Sequence, residues 1–190
     1  ANGGVQAIVV LPDDRIIIGG DFTMLGTVAR NRLARLAANG TLDTVFNRDV
    51  NESVFTMAVQ ADGKVVIGGW VLDGQYVGEP SGVVRAFDAV SGQFAWAWDM
   101  DRPGVHTEPA PGQTYSRGTP NSWGPMSGDE ALGLVYLPTG NSTPDYWGAH
   151  RSPASEKYTA AVVALDIETG APRWHFQTAH HGVWDYDLSA

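Results

Sequence analysis

The side chains that could take part in chemistry are carboxylates, imidazoles and hydroxyls, because the chain contains no cysteine. That absence excludes disulfides, thiolate metal sites and cysteine nucleophiles. His180 and His181 are adjacent, and neighbouring residues on a strand point to opposite faces, so we interpret the pair as structural. The spacing of the remaining histidines does not indicate a metal site; they are His106, His150 and His175.

Four other residues have both a chemical and a structural interpretation. Carboxylates can accept protons and bind hard cations, but Asp185 and Asp73 also fit turns that the side chain caps. Thr143 fits a loop hydroxyl that closes an ST-turn. Trp123 fits core packing as well as it fits an aromatic wall of a site. Residue type alone leaves these alternatives open.

Two internal repeats predict the elements that position these side chains. Residues 5–22 align without gaps on residues 54–71, and each segment has an apolar strand, a polar turn and a second apolar strand that ends in Gly-Gly. Residues 86–96 align on residues 164–174 with the shared pattern A-x-D-x-x-x-G-x-x-x-W. In this pattern the Asp and the Gly favour a turn. We expect the Trp to dock its indole N–H between neighbouring units.

The repeats divide the chain into three units at about 5–50, 54–99 and 118–178, each able to supply about four short strands. Residues 100–116 are rich in Pro, Gly and Thr and indicate a long loop. No segment has the pattern of an amphipathic helix. Glycine-rich four-strand units at this period are typical of propeller blades. The prediction is therefore an all-β fold, a β-propeller fragment of about three four-stranded blades.

The composition describes a folded acidic chain. Hydrophobic residues make up 43% and charged residues 17% of the 190 residues, which allows a core and argues against disorder. The net charge of −9 argues against nucleic acid or a membrane as partner. No apolar run approaches the ~20 residues of a membrane helix, and no signal peptide opens the chain. We therefore expect a soluble protein.

Two segments of the chain resemble known families. Residues 4–69 resemble the delta-60 type repeat, a propeller-forming repeat without a general enzymatic activity, through VQAIVVLPDDRIIIGGDF, RNRLARLAANGTLDTVF and VFTMAVQADGKVVIGG. Residues 70–190 resemble the quinoprotein glucose dehydrogenases, through GEPSGVVRAFDAVSGQFAWAWD, TYSRGTPNSWGPM, LVYLPTGNSTPDYWG and WHFQTAHHGVWDYDLSA. The resemblances divide one continuous β domain into segments 1–69 and 70–190.

The second resemblance implies a periplasmic sugar oxidation with pyrroloquinoline quinone (PQQ) and Ca²⁺. In that family the quinone accepts hydride, Ca²⁺ polarises its carbonyl and a carboxylate takes the proton of the anomeric hydroxyl. The resemblance assigns the catalytic base to Asp185 and cofactor contacts to Thr143 and Trp123. Asp73 matches the first residue of the Asp-Asn pair that binds Ca²⁺. Gly74 replaces the Asn here, so we expect weaker metal binding.

The change of resemblance near residues 68–70 falls inside one hairpin, where a fusion must keep strand register. We therefore predict a recombined or engineered chimera. The family's cofactor-contacting Lys belongs to a following blade, and Lys64 and Lys157 lie in other contexts. The main functional hypothesis is thus a propeller scaffold without catalytic activity that needs no cofactor to fold. The alternatives are a PQQ-dependent sugar dehydrogenase, a fragment that still binds PQQ and Ca²⁺, or a binding module that uses the central face of the propeller.

The partner that the sequence predicts first is a second copy of the chain. Three blades cannot close a ring of the usual size, and an open fragment exposes two sheet faces. We expect a homo-oligomer in which two chains give about six blades. A sugar is the other expected partner.

Overall fold

The computed structural model describes residues 1–50, 52–60, 63–72, 76–185 and 187–188. Its strands form three antiparallel sheets, of order β1-β2-β5, β6-β7-β8-β9 and β10-β11-β12-β13, and a separate β3-β4 hairpin. The strands are β1 (Val5–Val10), β2 (Ile16–Gly20), β3 (Met24–Leu25), β4 (Val28–Ala29), β5 (Leu33–Leu36), β6 (Val54–Val59), β7 (Lys64–Gly69), β8 (Val84–Asp88), β9 (Phe94–Trp98), β10 (Ser127–Asp129), β11 (Leu134–Pro138), β12 (Ala161–Asp166) and β13 (Pro172–Gln177). The prediction of an all-β fragment with about three blades is confirmed.

The first repeat produces the same hairpin twice. β1 pairs with β2, and β6 pairs with β7. Each hairpin has a register shift at the same repeat position, between Val5 and Ala7 in one and between Val54 and Thr56 in the other. A bulge of this kind bends a strand and redirects its side chains. The two hairpins therefore repeat each other in strand register as well as in sequence.

The second repeat produces the same turn twice. The carboxylate of Asp88 accepts hydrogen bonds from the backbone N–H groups two and three residues ahead, and Asp166 does the same. Hydrogen bonds from the backbone and side chain of Ser91 hold the pKa of Asp88 below its ordinary value. Gly92 and Gly170 follow with φ angles of 73° and 71°. The predicted Asp and Gly turn is therefore confirmed in both sheets.

The second and third sheets are joined by a tryptophan that lies on a turn glycine. Trp96 Nε1 donates a hydrogen bond to the Ile167 carbonyl at 2.7 Å. A Cβ built on Gly170 would lie 2.5 Å from the Trp96 ring, so only glycine allows this close approach. The predicted docking of the indole N–H between units is thus confirmed for Trp96. Trp174, its repeat equivalent, is 45% exposed.

The first and second sheets are joined by an arginine and a phenylalanine instead. Arg35 Nη1 donates to the Ala89 carbonyl at 2.6 Å, and Ala89 corresponds to Ile167 in the repeat. The Phe46 ring packs on Gly92, 2.9 Å from a Cβ built there. Arg35 stacks over that ring, with Cζ 4.8 Å from its centroid. Arg35 and Phe46 together make the two contacts that the Trp96 indole makes between the second and third sheets: a hydrogen bond to a backbone carbonyl and a ring packed on a turn glycine.

The core consists of two main layers of apolar side chains between successive sheets. The layer between the second and third sheets contains Trp96 and Trp98, which are at most 1% exposed. The Trp98 ring meets Tyr158 edge-on at a centroid distance of 5.0 Å. The layer between the first and second sheets is built around Ile17, Phe46 and Val65.

The first sheet has one strand fewer than the predicted four. After β5 the chain makes an isolated bridge and then runs irregularly. Asp43 explains the change, because its carboxylate accepts from the Val45 N–H at 2.9 Å and pairs with Arg35 at 2.7 Å. These bonds turn the chain so that Phe46, rather than a fourth strand, covers the core.

The structure contains a short helix that the sequence analysis did not predict, α1 (Pro153–Tyr158). Ser152 caps it by accepting a hydrogen bond from the Ser155 N–H at 2.9 Å, and proline suits a first helical turn. Six residues are too few to show a helical period. The predicted loop over residues 100–116 is confirmed as irregular. In the described part of the chain, no helix is long and apolar enough to cross a membrane.

The Gly170→Ala variant is expected to lose ~2–4 kcal/mol of unfolding free energy, because the new methyl overlaps Trp96 and adopts a left-handed φ. Gly133→Ala is the matched control, since Gly133 has a φ of 64° but its nearest atom is 4.0 Å away. Gly133→Ala is expected to lose only the ~1–2 kcal/mol that a left-handed φ costs a non-glycine residue. Its new methyl overlaps no neighbouring atom. Urea unfolding of both variants measures the difference. Equal losses would contradict the docking contact.

Candidate functional site

Asp187 joins two segments that the sequence analysis assigned to the site. Its Oδ2 accepts a hydrogen bond from Trp123 Nε1 at 2.9 Å, and its Oδ1 accepts from the Asn141 backbone N–H at 3.1 Å. β11 and β13 both run antiparallel to β12, so they leave the third sheet at the same edge. The topology therefore places the segment after β11 beside the segment after β13, with Trp123 held against both.

Thr143 lies in the loop after β11 with its hydroxyl buried and unpaired. The residue is 4% exposed, and its Oγ1 has no hydrogen-bond partner in the part of the chain that the structure describes. An ST-turn closed by this hydroxyl is therefore not observed among the described residues. The Thr143 N–H donates to the Gly118 carbonyl at 3.1 Å, and a Cβ on Gly118 would lie 2.6 Å from Oγ1. A glycine at position 118 thus keeps the space before the hydroxyl open.

Asp185 is exposed and adopts a left-handed φ of 55°. No hydrogen bond or ion pair among the described residues involves its carboxylate, so the alternative of a capping carboxylate is not observed. Partial desolvation, followed by the charge of Asp187, raises the pKa of Asp185 above its ordinary value. Non-glycine residues in this backbone region are uncommon and cluster at functional sites.

Among the described residues, three buried side chains in these segments have polar atoms without a hydrogen-bond partner: Asn141, Ser122 and Thr143. Asn141 is 0% exposed, and neither its amide nitrogen nor its amide oxygen is paired. Leaving a buried polar group unsatisfied costs ~1–3 kcal/mol, and an ordered water, an ion or a polar ligand can offset that cost. A quinone with carbonyl and carboxylate oxygens would pair with these donors. The residues present therefore fit PQQ.

The metal prediction on Asp73 and Gly74 lies outside the described residues. Within the described ranges, no group of three or more carboxylate or imidazole side chains could hold a metal ion. Glu79 is a further buried carboxylate, 2% exposed, and no described residue forms a hydrogen bond with its Oε1. The Glu79 carbonyl accepts from the Gly118 N–H at 2.8 Å, so this residue neighbours the glycine that faces Thr143. Carboxylate oxygens are ligands that Ca²⁺ prefers.

Sequence reasoning missed three residues of this site: Asn141, Asp187 and Glu79. A signal existed for Asp187, the second carboxylate of the Asp185-Tyr186-Asp187 run. The other two differ from surface residues by burial, which a single sequence does not reveal. His180 and His181 lie in a turn after β13 and not on a strand, and the backbone N–H and the ring of His181 both contact the Glu156 carboxylate at 2.9 Å. The structural interpretation of the pair stays a prediction.

A cavity of about 120 Å³ lies elsewhere, lined by residues of the second sheet and of the segments that flank it. Its lining includes Arg85, Arg117 and Tyr115, and none of Trp123, Asn141, Thr143, Asp185 or Asp187. Desolvation raises the pKa of Tyr115 to about 12. This cavity is therefore separate from the loop site.

Stacked antiparallel sheets of three and four strands define a fragment of a β-propeller protein. Residues 36–190 match the model of the PQQ glucose/ethanol/alcohol dehydrogenase β-propeller domain. The chain belongs to this family. Residues 11–46 also match a β-propeller domain of unknown function, DUF5122.

Curated relatives share the second part of the chain at high identity. The glycerol dehydrogenase large subunit of Gluconobacter oxydans is 56% identical over 138 residues, which cover 73% of this chain and 19% of that protein. The quinoprotein glucose dehydrogenase of Escherichia coli is 42% identical over 129 residues, which cover 68% of this chain and 16% of that protein. The chain therefore spans less than a fifth of these relatives.

Solved structures share the fold. A europium-containing methanol dehydrogenase superposes with a TM-score of 0.64 at 23% identity, over 96% of this chain and 34% of that one. The quinohemoprotein alcohol dehydrogenase of Comamonas testosteroni gives 0.61 at 24% identity, over 93% of this chain and 28% of that one.

These matches confirm the PQQ dehydrogenase part of the predicted resemblance. They give no support to the main hypothesis of a scaffold without catalytic activity, and they favour the alternative of a quinoprotein dehydrogenase fragment. A chimeric or engineered origin and the division into 1–69 and 70–190 stay predictions.

Proposed function

We propose that this chain contributes part of the cofactor site of a PQQ-dependent dehydrogenase that oxidises a polyhydroxylated substrate, a polyol or a sugar. The observation that carries the proposal is the buried, unpaired amide of Asn141 beside the hydrogen bond between Trp123 and Asp187. The glycerol and glucose dehydrogenases among its relatives support this substrate class.

In this proposal the chain's own residues orient the cofactor and move one proton. Asn141 and Thr143 would donate hydrogen bonds to oxygens of the quinone, and Trp123, whose Nε1 donates to Asp187, would present its indole face to it. When bound, PQQ supplies a two-electron acceptor for the hydride of the substrate carbon. Asp185 takes the proton of the substrate hydroxyl, since its carboxylate is exposed and unpaired among the described residues.

Calcium would be bound beside the carboxylate of Glu79. A hard cation there would satisfy the unpaired Glu79 Oε1 and would act as a Lewis acid toward a developing oxyanion. Asp73 is the second proposed ligand, and Gly74 in place of Asn is expected to weaken the site.

The experiment is a titration of PQQ into the protein with excess Ca²⁺, followed by tryptophan fluorescence. Asn141→Leu is expected to weaken PQQ binding ~10–100-fold, because two hydrogen bonds are lost. The same variant is expected to leave the unfolding free energy unchanged or to raise it, since an unsatisfied buried amide is removed. Weaker PQQ binding together with an unchanged or higher unfolding free energy would identify Asn141 as a residue that faces the ligand.

Asn47→Leu is the matched control, because Asn47 is exposed and far from the loop site in sequence. It is expected to bind PQQ as the unmodified chain does. Saturable quenching that Asn141→Leu does not weaken would contradict the assignment of this residue. A complete lack of Ca²⁺-dependent binding would contradict the proposed function and would favour the scaffold hypothesis.

A further inference from the structure

The cavity outside the loop site is lined by charged and hydroxyl side chains that the proposed function does not use. The guanidinium groups of Arg85 and Arg117 line it together with the carboxylate of Glu52. Two cations against one carboxylate leave one net positive charge on the described lining. Ser81 and Tyr115 add hydroxyls that can donate or accept hydrogen bonds. The cavity therefore has the charge and the polarity of a site for a small anion.

Arg85 is a partly buried cation whose guanidinium forms no hydrogen bond or ion pair among the described residues. It lies in β8, where it pairs across the sheet with Ile67, and Ile67 also lines the cavity. Its Cζ lies 5.9 Å from the centroid of the Tyr115 ring. Desolvation by burial lowers the pKa of Arg85, so its positive charge is costly in this position. A guanidinium carries five N–H donors, and an anion in the cavity would pair with them.

Arg117 is anchored at one nitrogen, which leaves the other two available to a ligand. Its Nε donates to the Gly78 carbonyl at 2.7 Å, and no described residue forms a hydrogen bond with its Nη atoms. Arg117 is exposed, so the cavity is open to solvent on this side. In the described part of the chain, Glu52 forms an ion pair with neither arginine. The two cations are therefore not paired with the carboxylate that shares their cavity.

The volume and the charges of the cavity define the class of ligand that it suits. A volume of about 120 Å³ equals that of about four water molecules in the liquid, which suits a ligand of about four to seven non-hydrogen atoms. A carboxylate matches the planar fork of a guanidinium in both geometry and charge. The Glu52 carboxylate accepts hydrogen bonds but repels negative charge, so it favours a ligand with one negative charge and a hydroxyl donor over a dianion.

We propose that this cavity binds a small hydroxycarboxylate, the anion of a monocarboxylic acid that also carries a hydroxyl group. Its carboxylate pairs with Arg85 and Arg117, and its hydroxyl donates a hydrogen bond to Glu52. The lining residues come from the second sheet and the segments that flank it, and none of them is among the residues of the loop site. The inference is therefore independent of the proposed cofactor site.

Isothermal titration calorimetry of the chain with sodium glycerate, at constant ionic strength, measures this binding. Arg85→Met and Arg117→Met each keep an apolar stem and remove the charge, and each is expected to weaken glycerate binding ~10–100-fold. Arg173→Met is the matched control, because the Arg173 side chain is 62% exposed and outside the cavity lining. It is expected to bind glycerate as the unmodified chain does. Because Arg117 is exposed, Arg117→Met tests the proposal even if Arg85→Met does not fold.

Titrations with sodium acetate and inorganic phosphate test the class of ligand. The unmodified chain is expected to bind glycerate ~10-fold or more tightly than acetate, because only glycerate donates a hydroxyl to Glu52. In Glu52→Leu that preference is expected to disappear. Equal affinities of the unmodified chain for glycerate and acetate, or tighter binding of phosphate, would overturn the proposal. It would also be overturned by an absence of glycerate binding at millimolar concentrations, or by an unchanged affinity in either arginine variant.

Discussion

On the proposed function, the Asp185→Asn substitution is expected to slow oxidation of a polyol or a sugar ~10²–10⁴-fold in the presence of PQQ and Ca²⁺. General-base catalysis contributes a factor of this size, and an amide of the same shape cannot accept the proton. The structure leaves the carboxylate exposed, at a φ of 55°, without a hydrogen bond among the described residues. Dye reduction under steady-state conditions measures the rate.

The control for this variant is Asp14→Asn. Asp14 is also an exposed aspartate with a left-handed φ, of 65°, but lies in the first hairpin. The Asp14→Asn variant is expected to oxidise the substrate at the unmodified rate. Because desolvation and Asp187 raise the pKa of Asp185, the rate should fall with decreasing pH at a midpoint above ~3.9, the ordinary value. A rate that survives Asp185→Asn would contradict the assignment.

The Trp96→Ala variant is expected to lower the unfolding free energy by ~3–5 kcal/mol, the usual cost of deleting a buried tryptophan. The ring is 1% exposed in the layer between the second and third sheets. Its loss also leaves the Ile167 carbonyl without the Nε1 hydrogen bond. Domains of this size are stable by only ~5–15 kcal/mol, so the variant should unfold at much lower urea concentrations.

Trp174→Ala is the control within the same repeat. Trp174 occupies the equivalent position but is 45% exposed. Trp174→Ala should therefore lower the unfolding free energy by less than half as much as Trp96→Ala. Trp96→Phe keeps one aromatic ring but removes the N–H and part of the indole, so its unfolding free energy is expected to fall by ~1–3 kcal/mol, to a value between those of the wild type and Trp96→Ala. Similar losses in Trp96→Ala and Trp174→Ala would contradict the described interface.

The fold was largely predictable because repeats carry redundant information. The two gapless alignments predicted hairpins, turns and the docking of Trp96, and the structure repeats even the register shifts. The irregular segment after β5 was not predictable, since it depends on the ion pair between Asp43 and Arg35. A local strand pattern does not show that Arg35 and Asp43, eight residues apart, form an ion pair.

The candidate site was predicted only in part. Family resemblance selected Asp185, Thr143 and Trp123, but it did not reveal that Asp187 ties Trp123 to Asn141. That contact joins residues 64 positions apart, and it depends on two strands leaving the third sheet at one edge. Unpaired burial, the property that distinguishes Asn141, exists only once the sheets have packed.

The measurement that tests the central claim most directly is a titration of PQQ and Ca²⁺ into ¹⁵N-labelled protein, observed through side-chain N–H signals. The account predicts shifts of the Trp123 indole signal and of the Asn141 amide pair, while the buried Trp96 indole signal stays in place. If saturating PQQ left the Trp123 and Asn141 signals unmoved, the loops after β11 and β13 would not form the cofactor site, and the proposed function would be contradicted.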